Sequence, residues 1–238
     1  MSTRSKGSPR PQRAYGPLRS FGRTGGRPLS ARQQKLFDDL LPTIEAPAAE
    51  ASSCDPADLF AGPPSEIWLE IGFGGGEHLI EQARRRPDVG FVGVEPFAEG
   101  VAKALAGVKA HKLENVRLRR DDARAVMEGF TDASLDRVYI LFPDPWHKLR
   151  HHKRRLIQSE FLRDLARVLK SGGLVRFATD WADYADWTLE RFNKVPEFAW
   201  TAQCADDWRL APKDHVETRY QKKQLGDCSP IFLEFVCV

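Results

Sequence analysis

The sequence predicts a doubly wound α/β fold, a mainly parallel sheet with an antiparallel C-terminal strand, on three observations. From Ile67 onward, short apolar runs rich in β-branched and aromatic residues alternate with helix-periodic stretches. The first run, Ile67-Trp-Leu-Glu-Ile71, stops at the glycine cluster Gly72-Phe-Gly-Gly-Gly76, the pattern of a strand, a tight turn and a helix. The last, Pro230 to Val238, alternates in the manner of a strand lying beside a sheet edge.

Each element follows in order. Residues 1–35 hold nine Lys or Arg and no acid, interleaved with Gly, Pro and Ser, and are expected to form a basic, disordered arm. Such an arm suits an anionic partner, a solubilising role or a transit-type leader. Residues 36–64 are read as a short helix and linker: Ser30 caps a helix with Leu36, Phe37, Leu40 and Leu41 on its apolar side, and Glu45 to Pro64 is rich in Ala, Pro and Ser. The domain proper spans 65–238. After the glycine cluster come a helix over Glu77 to Arg86, a strand from Gly90 ending in Glu95, a helix over Phe97 to His111 and a strand over Val116 to Asp122. Then follow a helix over Ala123 to Phe130, a strand over Leu135 to Phe142, a helix over Ser159 to Leu169, a strand over Gly172 to Thr179 and a helix over Trp181 to Val195. Ligands of such sheets bind beyond the strands' carboxyl ends, which gathers Gly74, Glu95, Asp122 and Asp144.

At 238 residues and 42% hydrophobic content the chain can bury one core and carry extensions. No apolar run approaches the roughly 20 residues that span a bilayer, and the start is too basic and proline-rich for a secretory signal, so a cytoplasmic protein without a membrane partner is expected. Cys54, Cys204, Cys228 and Cys237 lie far apart with no C-x-x-C pair, which argues against zinc and disulfides. The net charge of +3 is small but unevenly spread.

The loop chemistry selects the ligand. A pyrophosphate-binding turn wants Gly-x-Gly-x-x-Gly, but counting from Gly72 the last position is Glu77, and Glu70 stands just before the turn. Two carboxylates repel a diphosphate and attract a cation. S-adenosylmethionine, with its sulfonium and ammonium, suits them better than a dinucleotide. Gly72 and Gly74 permit close backbone approach, and Glu95, 21 positions after Gly74, can accept both ribose hydroxyls. Asp122-Ala123 either places a carboxylate beside an adenine amino group or caps the next helix, and the two roles are compatible.

Phe142-Pro-Asp-Pro-Trp146 ends the fourth strand and runs into His147, Lys148, Arg150, His151, His152, Lys153, Arg154 and Arg155. Prolines on either side of Asp144 are expected to hold Phe142 and Asp144 extended, fixing the carboxylate on a stiff turn. Trp146 can stack on a base while the basic cluster holds phosphates. The histidines sit among Lys and Arg, whose charge opposes a divalent ion, so no metal is expected.

Together Leu69-Glu-Ile-Gly-Phe-Gly-Gly-Gly76, Val94-Glu95, Asp122-Ala123, Phe142-Pro-Asp-Pro-Trp-His-Lys148, Arg150 to Arg155, Thr179-Asp-Trp181 and Glu217-Thr-Arg-Tyr-Gln221 resemble the bacterial tRNA (guanine-N7-)-methyltransferases over nearly all of Arg19 to Val238. The resemblance implies a Rossmann-like methyltransferase that transfers a methyl group from S-adenosylmethionine to N7 of the variable-loop guanine at tRNA position 46. It implies Asp144 as the active-site residue, Glu70, Glu95 and Asp122 in the cofactor site, Lys148, Asp180, Thr218, Arg219, Tyr220 and Gln221 on the guanine side, and Arg150, His151, His152, Lys153, Arg154 and Arg155 on RNA. The implied partner is tRNA, for a monomer or a homodimer alike. One departure stands out: Gln221 occupies a position where the family usually has an acid, and Glu217 is a candidate replacement. Two other readings share some features: an adenine N6-methyltransferase, with a proline-rich Asp-Pro-aromatic turn at this place, and a non-enzymatic RNA-binding module.

Overall fold

The computed structural model describes residues 28–47 and 53–238. The arm at 1–35 therefore lies outside the described residues as far as residue 27, and its last five residues begin a helix.

Seven strands form one sheet: β1 (Glu66–Ile71), β2 (Val89–Val94), β3 (Val116–Arg119), β4 (Leu135–Leu141), β5 (Leu169–Thr179), β6 (Phe198–Trp200) and β7 (Ile231–Cys237), in the order β3-β2-β1-β4-β5-β7-β6. The first five pair in parallel, and β7 runs antiparallel to both β5 and β6. Strand β7 thus takes the edge-adjacent antiparallel place its alternation predicted. The edge itself, β6, is not legible in the sequence: three residues are too few to show a period. Strand β5 starts at Leu169 rather than Gly172, with a register shift between Leu135 and Arg137 that absorbs the Gly172-Gly173 pair. Strand β3 stops at Arg119, short of the paired acids that follow.

Alternation along β1 sends neighbouring residues to opposite faces, each covered by helices. Ile67, Leu69 and Ile71 join a core with α5 (Ala123–Gly129), α6 (Ser159–Val168) and α7 (Ala182–Phe192). Trp68 joins the other core, against α1 (Ala31–Asp39), α2 (Leu41–Ile44), α3 (Glu77–Arg85) and α4 (Ala98–His111). Ser30 caps α1 through a capping box with Gln33, as its position predicted. The stretch read as a linker is fastened where it is described: Ala46 N–H donates to Leu118 O, and Cys54 N–H donates to Gly129 O.

Between β6 and β7 runs a strap, residues 201–230, containing the short helix α8 (Asp206–Arg209) and a 3-10 turn at Gln221–Lys223. Among the described residues no helix is long and apolar enough to cross a membrane.

Candidate active site

The chain order doubles back beside β1: β2 and β3 lie on one side of it, β4 and β5 on the other. At that reversal, beyond the carboxyl ends of the strands, lies a cavity of about 300 Å³. Its lining includes Ile71 and Gly72 after β1, Val94 and Glu95 after β2, Asp122 and Ala123 before α5, and Phe142 to Asp144 after β4.

The glycine loop is shaped for close approach. Gly72, Gly74 and Gly76 have φ of 71°, 55° and 80°, the left-handed region that glycine enters freely. Glu95 clamps the loop: its Oε2 accepts the Gly74 N–H at 2.9 Å and its Oε1 accepts the Phe97 N–H at 2.9 Å. Helix α4 then presses on the loop from behind, where a Cβ on Gly100 would lie 2.3 Å from the Gly74 carbonyl oxygen. Gly100→Ala is therefore expected to displace the loop, lowering stability by about 1–3 kcal/mol and weakening cofactor binding. Thermal denaturation and titration calorimetry together check this, and unchanged values for both would mean the loop yields freely.

The cavity lining holds three acids and no Lys or Arg. Desolvation pushes the Glu95 carboxyl above its ordinary value against the pull of its two backbone N–H partners, and the charges of Asp144 and Glu70 push the same way. Asp122 is differently placed. Its carboxylate accepts the Arg124 N–H as the cap of α5 and also binds the Arg124 guanidinium, at 2.9 Å to Nε and 2.6 Å to a terminal nitrogen. Asp122 thus caps α5, as read from the sequence, while also lining the cavity.

Asp144 stands at the mouth, reached by solvent yet crowded by protein, and that crowding raises its carboxyl. It makes no hydrogen bond or ion pair among the described residues. The turn that carries it differs from expectation. Phe142 has φ of 52° and Trp146 of 44°, so the Phe142 backbone is left-handed, not extended. The Phe142 N–H still donates to Ala178 O at 2.8 Å, while its ring is buried against Tyr220 at 5.9 Å. The chain must leave the sheet at that residue with its side chain pointing inward, and this overrides the preference imposed by Pro143. Two such residues store roughly 1–3 kcal/mol each around Asp144.

Of the remaining sequence-derived residues, some meet near Asp144 and others do not. Glu70 is buried and absent from the cavity lining; its Oε2 lies 2.7 Å from His78 Nδ1. Asp180 follows β5, with Oδ2 accepting the Gly226 N–H at 3.0 Å and Oδ1 without a partner. Burial raises the Tyr220 hydroxyl, helped by the fields of Asp180 and Asp144 and opposed by Trp181. Arg219 reaches across to Glu77 at 3.7 Å. Gln221 offers its amide oxygen to His215 Nε2 at 2.7 Å, its N–H goes to the Thr218 hydroxyl at 3.3 Å, and Glu217 is exposed beside Lys222. The side-chain partner of Gln221 is thus His215.

The basic run splits in two. Lys148, Arg150 and Lys153 are exposed, and Arg154 lies over the Trp146 ring at 5.1 Å, edge-on to which stands His151. Arg155 and His152, expected on RNA, are buried. Arg155 Nε donates to Pro145 O at 2.8 Å, its guanidinium binds Asp183, and it lies over Tyr184 and Trp187. His152 packs edge-on against Trp187. The two buried members are the ones that α7 holds, since Asp183 and Trp187 lie against both His152 and Arg155. Among the described residues no group of three or more His, Cys, Asp or Glu is placed to hold a metal.

A family model described as a putative methyltransferase matches residues 64–232. A tRNA (guanine-N(7)-)-methyltransferase of Caulobacter vibrioides (strain NA1000 / CB15N) is 54% identical over 94% of this chain and 97% of its own. The chain belongs to the tRNA (guanine-N(7)-)-methyltransferase family. A second member, from Hyphomonas neptunium (strain ATCC 15444), is 51% identical over 92% of this chain and 99% of its own. The fold of the family member described here is also that of the antibiotic-resistance methyltransferase Kmr, at a TM-score of 0.54 and 16% identity, covering 80% of this chain and 96% of that one.

Proposed function

We propose that the protein transfers the methyl group of S-adenosylmethionine to N7 of a tRNA guanine, at position 46 of the variable loop, acting in the cytoplasm. The observation that carries this reading is the position of Asp144: a free carboxylate at the mouth of an acid-lined cavity, with exposed cations on the turn that follows. The cavity fits the donor, because desolvated carboxylates without a balancing base in the lining favour a ligand bearing positive charge. S-adenosylmethionine supplies a methyl group activated by its sulfonium.

In this reading Glu95 holds the glycine loop with backbone bonds and faces the ribose, while Asp122 and Ala123 line the adenine end. Guanine N7 carries its lone pair in the ring plane, so the protein has no proton to remove before attack. Catalysis is alignment and charge handling. Asp144 accepts the N1–H and amino edge of the base and stabilises the positive charge that develops on the purine, and Asp180 shares that edge through its unpartnered Oδ1. Lys148 and the segment Thr218 to Gln221 border the base, and Arg150, His151, Lys153 and Arg154 meet phosphates.

Mass spectrometry of nucleosides from tRNA incubated with the protein and labelled donor tests the reaction. The expected product is 7-methylguanosine; N6-methyladenosine would replace this reading with its rival. Affinity for S-adenosylmethionine is expected to fall on acidification, beginning above the range of an ordinary carboxylate. Protonating Glu95, whose carboxyl is raised, removes negative charge that attracts the ligand. An affinity that stays flat until the ordinary carboxylate range is reached, read by calorimetry, would contradict the electrostatic account.

A further inference from the structure

A chain of buried polar groups joins the glycine loop to the strap. It begins at Glu70, directly beneath the loop, and passes to His78 Nδ1 at 2.7 Å. His78 and Gln82 lie one turn apart on α3 and are almost wholly buried, and Gln82 Nε2 is 3.2 Å from His78 Nε2 and 2.6 Å from the Asp214 carbonyl oxygen. That carbonyl fixes which way the amide points, since only its nitrogen can donate. The same nitrogen then donates to His78 Nε2, which leaves Nδ1 to donate to Glu70. Both amide hydrogens are used, one on each side of the joint.

Asp214 belongs to the strap. Its carboxylate is held by Arg176 at 2.8 Å, so its place over β5 is fixed. One residue on, His215 holds Gln221, and between them lie the residues placed here on the guanine side. Arg85 also approaches the Asp214 carbonyl, at 3.5 Å from an exposed position, too distant to replace Gln82.

We infer that Gln82 is a positioning residue that couples the methyl-donor side of the site to the guanine side, by setting the strap according to the state of the glycine loop. This rests on the function proposed above. A ligand on the loop biases Glu70 and His78, Gln82 passes the bias to Asp214, and the strap presents Thr218 to Gln221 to the base. Coupling of this kind is reciprocal, so tRNA binding tightens the donor site by the same factor.

The test measures the dissociation constant of a tRNA transcript with and without saturating S-adenosylhomocysteine, for wild type and Gln82→Leu, with Gln82→Met as the second variant should the first not fold. In wild type the ligand is expected to tighten tRNA about fivefold or more, and in the variant less than about twofold. Because the coupling is reciprocal, the KM for tRNA and the KM for donor both rise in the variant while kcat changes little. A wild-type ratio of one, or the same ratio in the variant, overturns the inference. The proposed reaction fails separately, if wild type forms no 7-methylguanosine.

Discussion

Asp144→Asn is expected to lower methyl transfer by about 10²-fold or more while donor affinity changes only a few-fold, because the group acts on charge that develops in the base and not on charge the donor brings. The same variant should be at least as stable as wild type at neutral pH. Asp144 has no partner among the described residues, and crowding raises its carboxyl in the folded state. A carboxyl raised on folding opposes the fold while it is ionised, above its folded pKa, and that opposition fades as the pH falls through that value. Asparagine never carries the burden. The melting temperature of the variant should therefore exceed or match that of wild type at pH 7, with the difference shrinking on acidification. Near-normal turnover would remove Asp144 from the mechanism, and a lower melting temperature at pH 7 would contradict its being an unpaired, desolvated charge.

Arg155→Ala is expected to cost about 3 kcal/mol of stability, the low end for breaking a buried ion pair because Asp183 is largely in water. The guanidinium holds the Pro145 carbonyl, so its loss also releases the turn that carries Asp144. Arg150→Ala combined with Lys153→Ala should do the opposite: melting unchanged, tRNA binding weaker, and the slope of log affinity against log salt shallower by about one for each phosphate no longer neutralised. Denaturant unfolding and binding at several salt concentrations separate the two cases. A stable Arg155 variant with a reduced salt slope would return that residue to the RNA surface.

The burial of Arg155, expected on RNA, has a physical cause. Arg150 to Arg155 reads as one cationic run, and the burial of two of its members follows from contacts with α7, whose Asp183 stands 28 positions beyond Arg155. Strands β1, β2 and β4 are legible because they are buried on both faces and read as continuous apolar runs. The acids of the cavity are legible too, since chain order in a doubly wound sheet dictates where strand ends gather. His78, Gln82, Asp214 and His215 carry no such signal, because nothing in their local pattern predicts that α3 and the strap touch. Phe142 shows the reverse error: the preference set by Pro143 is real, and the tertiary demand to bury a ring overrides it.

The strap leaves the sheet at Trp200 and returns at Ile231, and Trp200 pairs with Phe235 in the neighbouring strand. Both feet of this long excursion thus stand on paired strands, the return at Ile231 lying four residues along β7 from the partner of Trp200. In mid-course the strap is also pinned, at Asp214 by Arg176 and Gln82 and at Gly226 by Asp180, so a change in its length between those points is felt at β5 and at α3.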